Sequence, residues 1–294
     1  MTIIICFVPR IKRCRVHSAA MARKPVGPPR PTLQVLEQLS LLEYGTLCAA
    51  APGLCLRRDA DGGPVLVLPG FTASDDSTLA LRTVLRRRGH AVHGWGLGRN
   101  VGPHPRTVDG MRRRLDALHR RYGTTVSVVG HSLGGVYARE LARAEPEVVR
   151  QVITMGSPFR LRTGDRTSAS WLYDLIRPKD DPFFDHAPPE EERPPLPMPV
   201  TAVYTRTDGV VRWSACIEGP GPRRQNVCVV GTHTGLAYNL GAVLTVLDRV
   251  AQPEGEWERF RPPVWAKGLY RRAAVWRPDM AVPPVAPAGA GAAR

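Results

Sequence analysis

Lysine is scarce. Lys12, Lys24, Lys179 and Lys267 are the only lysines among 41 basic residues, so arginine carries the formal charge of +15. Alanine, proline, glycine and valine are abundant as well, and the arginine excess reads as the habit of a G+C-rich genome. Clusters such as Arg86-Arg87-Arg88 and Arg112-Arg113-Arg114 fall in stretches with helical amphipathicity, where a solvated helix face accounts for them. No zinc finger, RNA-recognition signature or aromatic-interleaved basic run is present. This argues against a nucleic-acid partner and leaves at most a weak attraction to anionic membrane surfaces. The cysteines, at 6, 14, 48, 55, 216 and 228, form no CxxC pair, so nothing supports a metal site. Cys216 and Cys228 flank a Gly/Pro-rich turn across which they could meet, and their redox state stays open. Long apolar runs are missing too. The segment "IIICFV" near the start is far too short to span a bilayer, and its basic residues follow rather than precede it, the reverse of a secretory signal. The expected location is cytoplasmic.

What remains is a chain of 294 residues, 43% of them apolar, enough for one large domain with a substantial core. Residues 1–31 read as a disordered leader rich in proline and arginine, with Met21 of "MARKPVGPPRP" a plausible true start. Residues 263–294, rich in proline, alanine and glycine, are expected to lack a fold of their own, leaving a domain over 32–262. From Thr32, "TLQVLEQLSLLEYGTLCAAA" has helical spacing and ends near Pro52-Gly53. Beyond it, apolar runs ("PVLVL", "HAVHGWGL", "TTVSVVG", "RQVITM", "PVTAVYT", "QNVCVVG") largely alternate with helical patterns. That order predicts an α/β fold, a mostly parallel sheet with helices on both faces. Residues 161–198 interrupt it. Their aromatic content, with Trp171, Phe183 and Phe184, predicts a lid that contacts an apolar substrate.

The stretch "VVGHSLGGVYARELA" places Ser132 between a strand and a helix, flanked by glycines in a GxSxG pattern. A small hydroxyl on a sharp turn, ahead of the unpaired amides and positive dipole end of a helix, suits a nucleophile. Such a serine needs a base, and the base needs an orienting acid. His233, in the loop after a late strand, is the expected base, since the other histidines lie in early strands, a helix face, the leader, the lid, a loop before the serine (His104) or the elbow itself (His131). Asp208 in "YTRTDGVV" is the expected acid, with Asp165 as its rival. The backbone amides of Leu133 and of Phe71, in "LPGFTAS", are the expected oxyanion donors, with the Thr72 hydroxyl an auxiliary.

On the motifs "LPGFTAS", "VVGHSLGGVYAREL", "TMGSPF", "TRTDGVV" and "GTHTGLAYN", the chain resembles the α/β-hydrolase superfamily, more narrowly its bacterial lipase/esterase-like members. The resemblance covers roughly residues 60–251. It implies an eight-stranded, mostly parallel sheet, no cofactor, and hydrolysis of a small-molecule acyl ester or lipid through an acyl-enzyme intermediate. One departure is "PGF" where "HGF" is more common, so any family role for that histidine is absent. Because the superfamily also includes thioesterases, acyltransferases and inactive members, the substrate stays open. An acyltransferase or thioesterase on the same residues, or a non-catalytic scaffold, are the competing readings.

Overall fold

The computed structural model describes residues 26–59, 62–162, 164–176 and 188–277. Seven strands form one sheet: β1 (Pro64–Leu68), β2 (Ala91–Gly94), β3 (Val126–His131), β4 (Val149–Met155), β5 (Val200–Thr205), β6 (Arg224–Val229) and β7 (Tyr270–Arg271). Their order is β2-β1-β3-β4-β5-β6-β7. The first six run parallel, and β7 closes the edge antiparallel to β6. The described sheet is thus one strand short of the eight that the resemblance implies.

The inner strands are apolar throughout because both faces are covered. Alternate side chains of β1 point to opposite sides. Val65 and Val67 join Val129, Ile153 and Val203 against Leu81 and Leu85 of α3 (Leu79–Arg87) and Val243 and Val246 of α7 (Leu240–Ala251). Leu66 and Leu68 join Val128 and Val152 against Met111 and Leu115 of α4 (Pro105–Tyr122) and Val136 and Tyr137 of α5 (Leu133–Ala144). The chain leaves β1 for the edge strand β2 and then returns past β1 to β3. Loops leaving the carboxyl ends of β1 and β3 therefore diverge to opposite faces, opening a crevice where such sheets bind ligands.

The expected N-terminal helix is present as α1 (Pro31–Leu36), a 3-10 turn (Glu37–Leu39) and α2 (Ser40–Leu54). Its inward positions mix leucine with polar residues. Leu33, Glu37, Ser40, Glu43 and Leu47 face the protein at spacings of three and four, whereas Val35, Leu41 and Leu42 are exposed.

Order begins earlier and ends later than the sequence predicts. Val26 is buried, its N–H donates to Asp165 Oδ1 at 2.7 Å, and Arg212 donates to the Gly27 carbonyl at 2.6 Å. Residues 26–31 thus belong to the packed structure, and 1–25 lie outside the described residues. At the other end a 3-10 turn (Val264–Leu269) leads into β7. Ala274 is buried with its N–H on Tyr204 Oη at 2.6 Å, and the Arg160 guanidinium sits 4.2 Å from the Trp276 ring. Anchored contacts therefore reach beyond residue 262, and 278–294 lie outside the described residues. Cys216 and Cys228 are buried free thiols. Among the described residues no helix is long and apolar enough to cross a membrane.

A charged network ties the 161–198 segment, with α6 (Ser170–Ile176), to the sheet. Arg139 of α5 is buried and pairs with Glu218 at 2.5 Å and with Glu190. Burial would raise the Glu218 pKa, but the Arg139 charge and hydrogen bond hold it below the usual carboxyl value. Its contribution to stability is therefore present above the unfolded pKa and lost as pH falls through the folded one. Arg139→Met keeps most of the volume but removes the buried cation that Glu190 and Glu218 share, leaving Glu218 with Arg224 at 3.2 Å and Glu190 with Arg143. We expect a loss of about 3–5 kcal/mol in unfolding free energy by denaturant titration at neutral pH. A change under 1 kcal/mol would show that water reaches the pair.

Candidate active site

Ser132 sits between β3 and α5 with φ 51° and ψ −122°, a conformation that a non-glycine residue adopts only under constraint. The constraint is close packing. A Cβ on Gly130 would overlap the backbone of Gly134 and Gly135, and one on Gly134 would overlap the Leu68 carbonyl of β1. The flanking glycines let strand and helix approach, and the turn is pinned by Ser132 N–H donating to the Met155 carbonyl at 2.8 Å.

Two loops bring partners to it. The loop after β6 carries His233, whose Nε2 lies 3.0 Å from Ser132 Oγ. The turn after β5 carries Asp208, whose Oδ2 lies 2.7 Å from His233 Nδ1. The other carboxylate oxygen, Oδ1, accepts the N–H groups of Val210 at 2.9 Å and Val211 at 2.7 Å, which fixes the carboxylate plane. Asp208 and His233 are both buried. Burial pushes the His233 pKa down, but the charge and hydrogen bond of Asp208, with a smaller push from Glu37, raise it above 6.5. Asp165, the rival acid, accepts instead from the amides of Val26 and Arg162.

His131, the middle residue of the elbow, is buried with its Nε2 donating to the His233 carbonyl at 2.9 Å. Burial, with the nearby His233 adding to it, lowers its pKa to about 4, so it stays neutral and braces the loop.

The amides expected to receive an oxyanion flank the serine. Leu133 opens α5, where the first N–H groups have no intrahelical acceptor. The loop after β1 presses on the serine, since a Cβ on Gly70 would lie 3.2 Å from Ser132 Cβ. Buried Asn100 holds that loop. Its Nδ2 donates to the Pro69 carbonyl at 3.0 Å, and its backbone carbonyl accepts Thr72 N–H at 2.7 Å. Thr72 does not line the adjoining cavity.

That cavity, of about 600 Å³, opens onto Ser132 and is lined by Phe71, Leu133, Val136, Phe159, Leu161 and Tyr173, among others. The Phe71 and Tyr173 rings meet edge to face at 5.3 Å. The 161–198 segment supplies part of the wall, but not through the residue expected. Trp171 is 65% exposed and absent from the lining, because the same short helix turns Tyr173 inward in its place. Phe183 and Phe184 lie outside the described residues.

The structure brings Ser132, His233 and Asp208 within hydrogen-bond distance in a line, and beside them stand Asn100, Tyr173, Glu37 and Glu43, which were not among the sequence candidates. The last two reach the Asp208 and His233 loops from the N-terminal helix. Asn100 carried a faint signal, a lone amide in a glycine-rich loop, whereas the two glutamates had the look of solvated helix positions.

In such an arrangement a carboxylate holds the imidazole with its proton on Nδ1, leaving Nε2 free to accept a serine proton. Ser132 follows β3, Asp208 follows β5, His233 follows β6, and the sheet order switches between β1 and β3. The chain has the α/β-hydrolase fold.

No family model matches the chain, and no curated protein matches it. Solved structures of similar shape include a pyrethroid hydrolase, PytH, at 19% identity over 66% of this chain and 99% of that one, with a TM-score of 0.47. A structure reported for the metagenome-derived lipolytic enzymes LipS and LipT is 18% identical over 66% of this chain and 94% of the other, with a TM-score of 0.49. The naproxen esterase of Bacillus subtilis is 11% identical over 72% and 96%, with a TM-score of 0.45.

Proposed function

We propose that the chain is a serine hydrolase of carboxylic esters, acting through an acyl-enzyme intermediate on small-molecule substrates with an apolar acyl or lipid portion. The observation that carries this reading is the buried line Asp208–His233–Ser132, at 2.7 and 3.0 Å, opening into the cavity. Ser132 Oγ attacks the ester carbonyl while His233 Nε2 takes its proton. Asp208 holds the ring and stabilises its positive charge. The Phe71 and Leu133 amides accept the developing oxyanion, and His233 returns the proton to the leaving alcohol. Water, deprotonated by the same imidazole, then releases the acid. The cavity falls within the size range of small-ligand sites, and Phe71, Leu133, Val136 and Phe159 give an acyl chain an apolar wall, with charged residues such as Arg162, Arg166 and Glu190 elsewhere in the lining. The 161–198 segment is read as a lid, with Tyr173 as its contact to substrate beside Phe71 of the loop after β1.

The test is hydrolysis of p-nitrophenyl esters from two to sixteen carbons, with fluorophosphonate labelling alongside. A chain-length optimum and covalent labelling at Ser132 are expected. Silence in both would reject the reading, and transfer to an added alcohol in preference to water would make the chain an acyltransferase. Because the base must be neutral and its pKa is raised, kcat/KM is expected to climb with pH through one ionisation lying above 6.5. A midpoint well below that value would mean that the Asp208 charge does not act on the base.

A further inference from the structure

The helical segment ahead of the sheet turns polar side chains toward the protein where an apolar stripe would be usual. Two of them meet the active-site loops. Glu37 Oε1 accepts the N–H of Gly209 at 2.9 Å and the N–H of His233 at 3.0 Å, and Oε2 accepts the N–H of Thr234 at 2.8 Å. Gly209 follows Asp208 directly, so one carboxylate spans the two loops that carry the acid and the base. We infer that Glu37 is a positioning residue that locks the Asp208 turn and the His233 loop to each other, with Glu43 as a second anchor on the histidine loop.

Glu43 accepts Thr232 N–H at 2.8 Å, the Thr232 hydroxyl at 2.7 Å and Asn239 Nδ2 at 2.6 Å. Asn239 in turn caps α7 by accepting Ala242 N–H at 3.1 Å. The loops are shaped to receive these carboxylates. A Cβ on Gly235 or on Gly231 would overlap the Glu43 carboxyl. Three amide donors converge on Glu37 from two directions, and only a carboxylate offers acceptors on both oxygens. Burial raises the Glu37 pKa, but the bonds from Thr234, Gly209 and His233 outweigh it and hold the group below the ordinary carboxyl value. Ionised near neutral pH, it adds negative charge beside the base. The charged and titratable groups facing His233 are Asp208 from the turn after β5, Glu37 from the N-terminal segment and His131 from the elbow, with Glu43 behind Thr232.

This inference rests on the assignment of His233 and Asp208 as base and orienting acid, so it is best read at the imidazole itself as well as in turnover. In full-length Glu37→Gln, NMR titration of the His233 ring should show its midpoint moving to lower pH. The amides of Gly209, His233 and Thr234 should exchange faster with solvent. The kcat of ester hydrolysis should fall about ten- to a hundredfold with KM little changed, the cost expected of a small misplacement of the base. Glu37→Asp, which restores the charge on a shorter arm, should recover the titration midpoint and only part of the turnover. An unmoved midpoint with unaltered amide exchange in Glu37→Gln overturns the inference. Should the glutamine variant fail to fold, the wild-type chain serves. The three amides must lose protection together, relative to other slow amides, as pH falls through the Glu37 ionisation, and independent loss overturns the inference. A chain that shows the shift but hydrolyses no ester would keep the positioning role and discard the hydrolase reading.

Discussion

Ser132→Ala is expected to lower ester turnover by about a million-fold and to abolish covalent labelling by a fluorophosphonate. The size of the loss follows from what one oxygen does. With Oγ gone, His233 Nε2 faces a methyl group, and no other hydroxyl occupies that position in the elbow. The Leu133 and Phe71 amides remain, so polarisation of a bound carbonyl persists, and a residual rate of roughly a thousand-fold or more over uncatalysed hydrolysis should remain. The fold should be indifferent to the change. Alanine meets the same backbone constraint as serine at φ 51°, the Ser132 N–H bond to Met155 involves only backbone, and the deletion leaves no large void. The melting temperature should therefore match that of the wild type, which separates loss of chemistry from loss of structure. Single-turnover kinetics should show no burst of p-nitrophenol. Undiminished labelling of the variant would place the reactive group elsewhere and end the proposal.

The legibility of this site in the sequence was uneven for a physical reason. Ser132, Asp208 and His233 were readable because each sits just after an apolar strand, and parallel strands deliver their carboxyl ends to one rim. Strand order in the chain thereby becomes proximity in space. The unbroken apolar run of β1 and the glycines of the elbow carried the same kind of local information. Glu37 and Glu43 had none. Their partners lie 172 to 197 residues away, and a glutamate on a helix ordinarily marks a solvated face. The periodicity of residues 32–51 indicated a helix but not which side packs, and Glu37 and Glu43 turn inward with Leu33 and Leu47 while Val35, Leu41 and Leu42 stay exposed. The face that packs is chosen by the loops it covers, whose exposed amides need acceptors more than they need hydrocarbon. Trp171 and Tyr173 make the same point on a smaller scale. Two aromatic residues two positions apart on a helix point to different sides, and only the body of the protein decides which side is inner. The described part of the C-terminal stretch, residues 263–277, has more structure than composition suggested. Its prolines and alanines suggested disorder, but the edge of β6 offered unpaired backbone groups that residues 270–271 satisfy.

Asp208→Asn should lower kcat/KM by about ten thousandfold at neutral pH, and the geometry says why so small a change costs so much. The two oxygens of Asp208 have different partners. Oδ1 accepts two backbone N–H groups, those of Val210 and Val211, and Oδ2 faces His233 Nδ1. An asparagine at this position must give its one carbonyl oxygen to the two amides, because turning its NH2 toward them would oppose donor to donor in a buried site. Its NH2 therefore points at the imidazole. His233 then has to present Nδ1 as an acceptor, which moves the ring proton to Nε2 and aims it at Ser132 Oγ. In that tautomer the ring cannot take the serine proton. The loss of the negative charge also removes the main influence raising the His233 pKa, so the acid limb of the pH profile should move down even as the plateau collapses. Both effects are separable by measurement. The plateau rate reports the tautomer, and NMR of the ring nitrogens should show the proton on Nδ1 in the wild type and on Nε2 in the variant. Stability should change little, since the amide keeps the volume and the bonds to Val210 and Val211. If Asp208→Asn instead retained turnover within tenfold, the orienting charge would have to come from another carboxylate. Asp165 is held by the amides of Val26 and Arg162, away from the ring, so the alternative would be Glu37, which already touches the His233 backbone and would then act on the base directly.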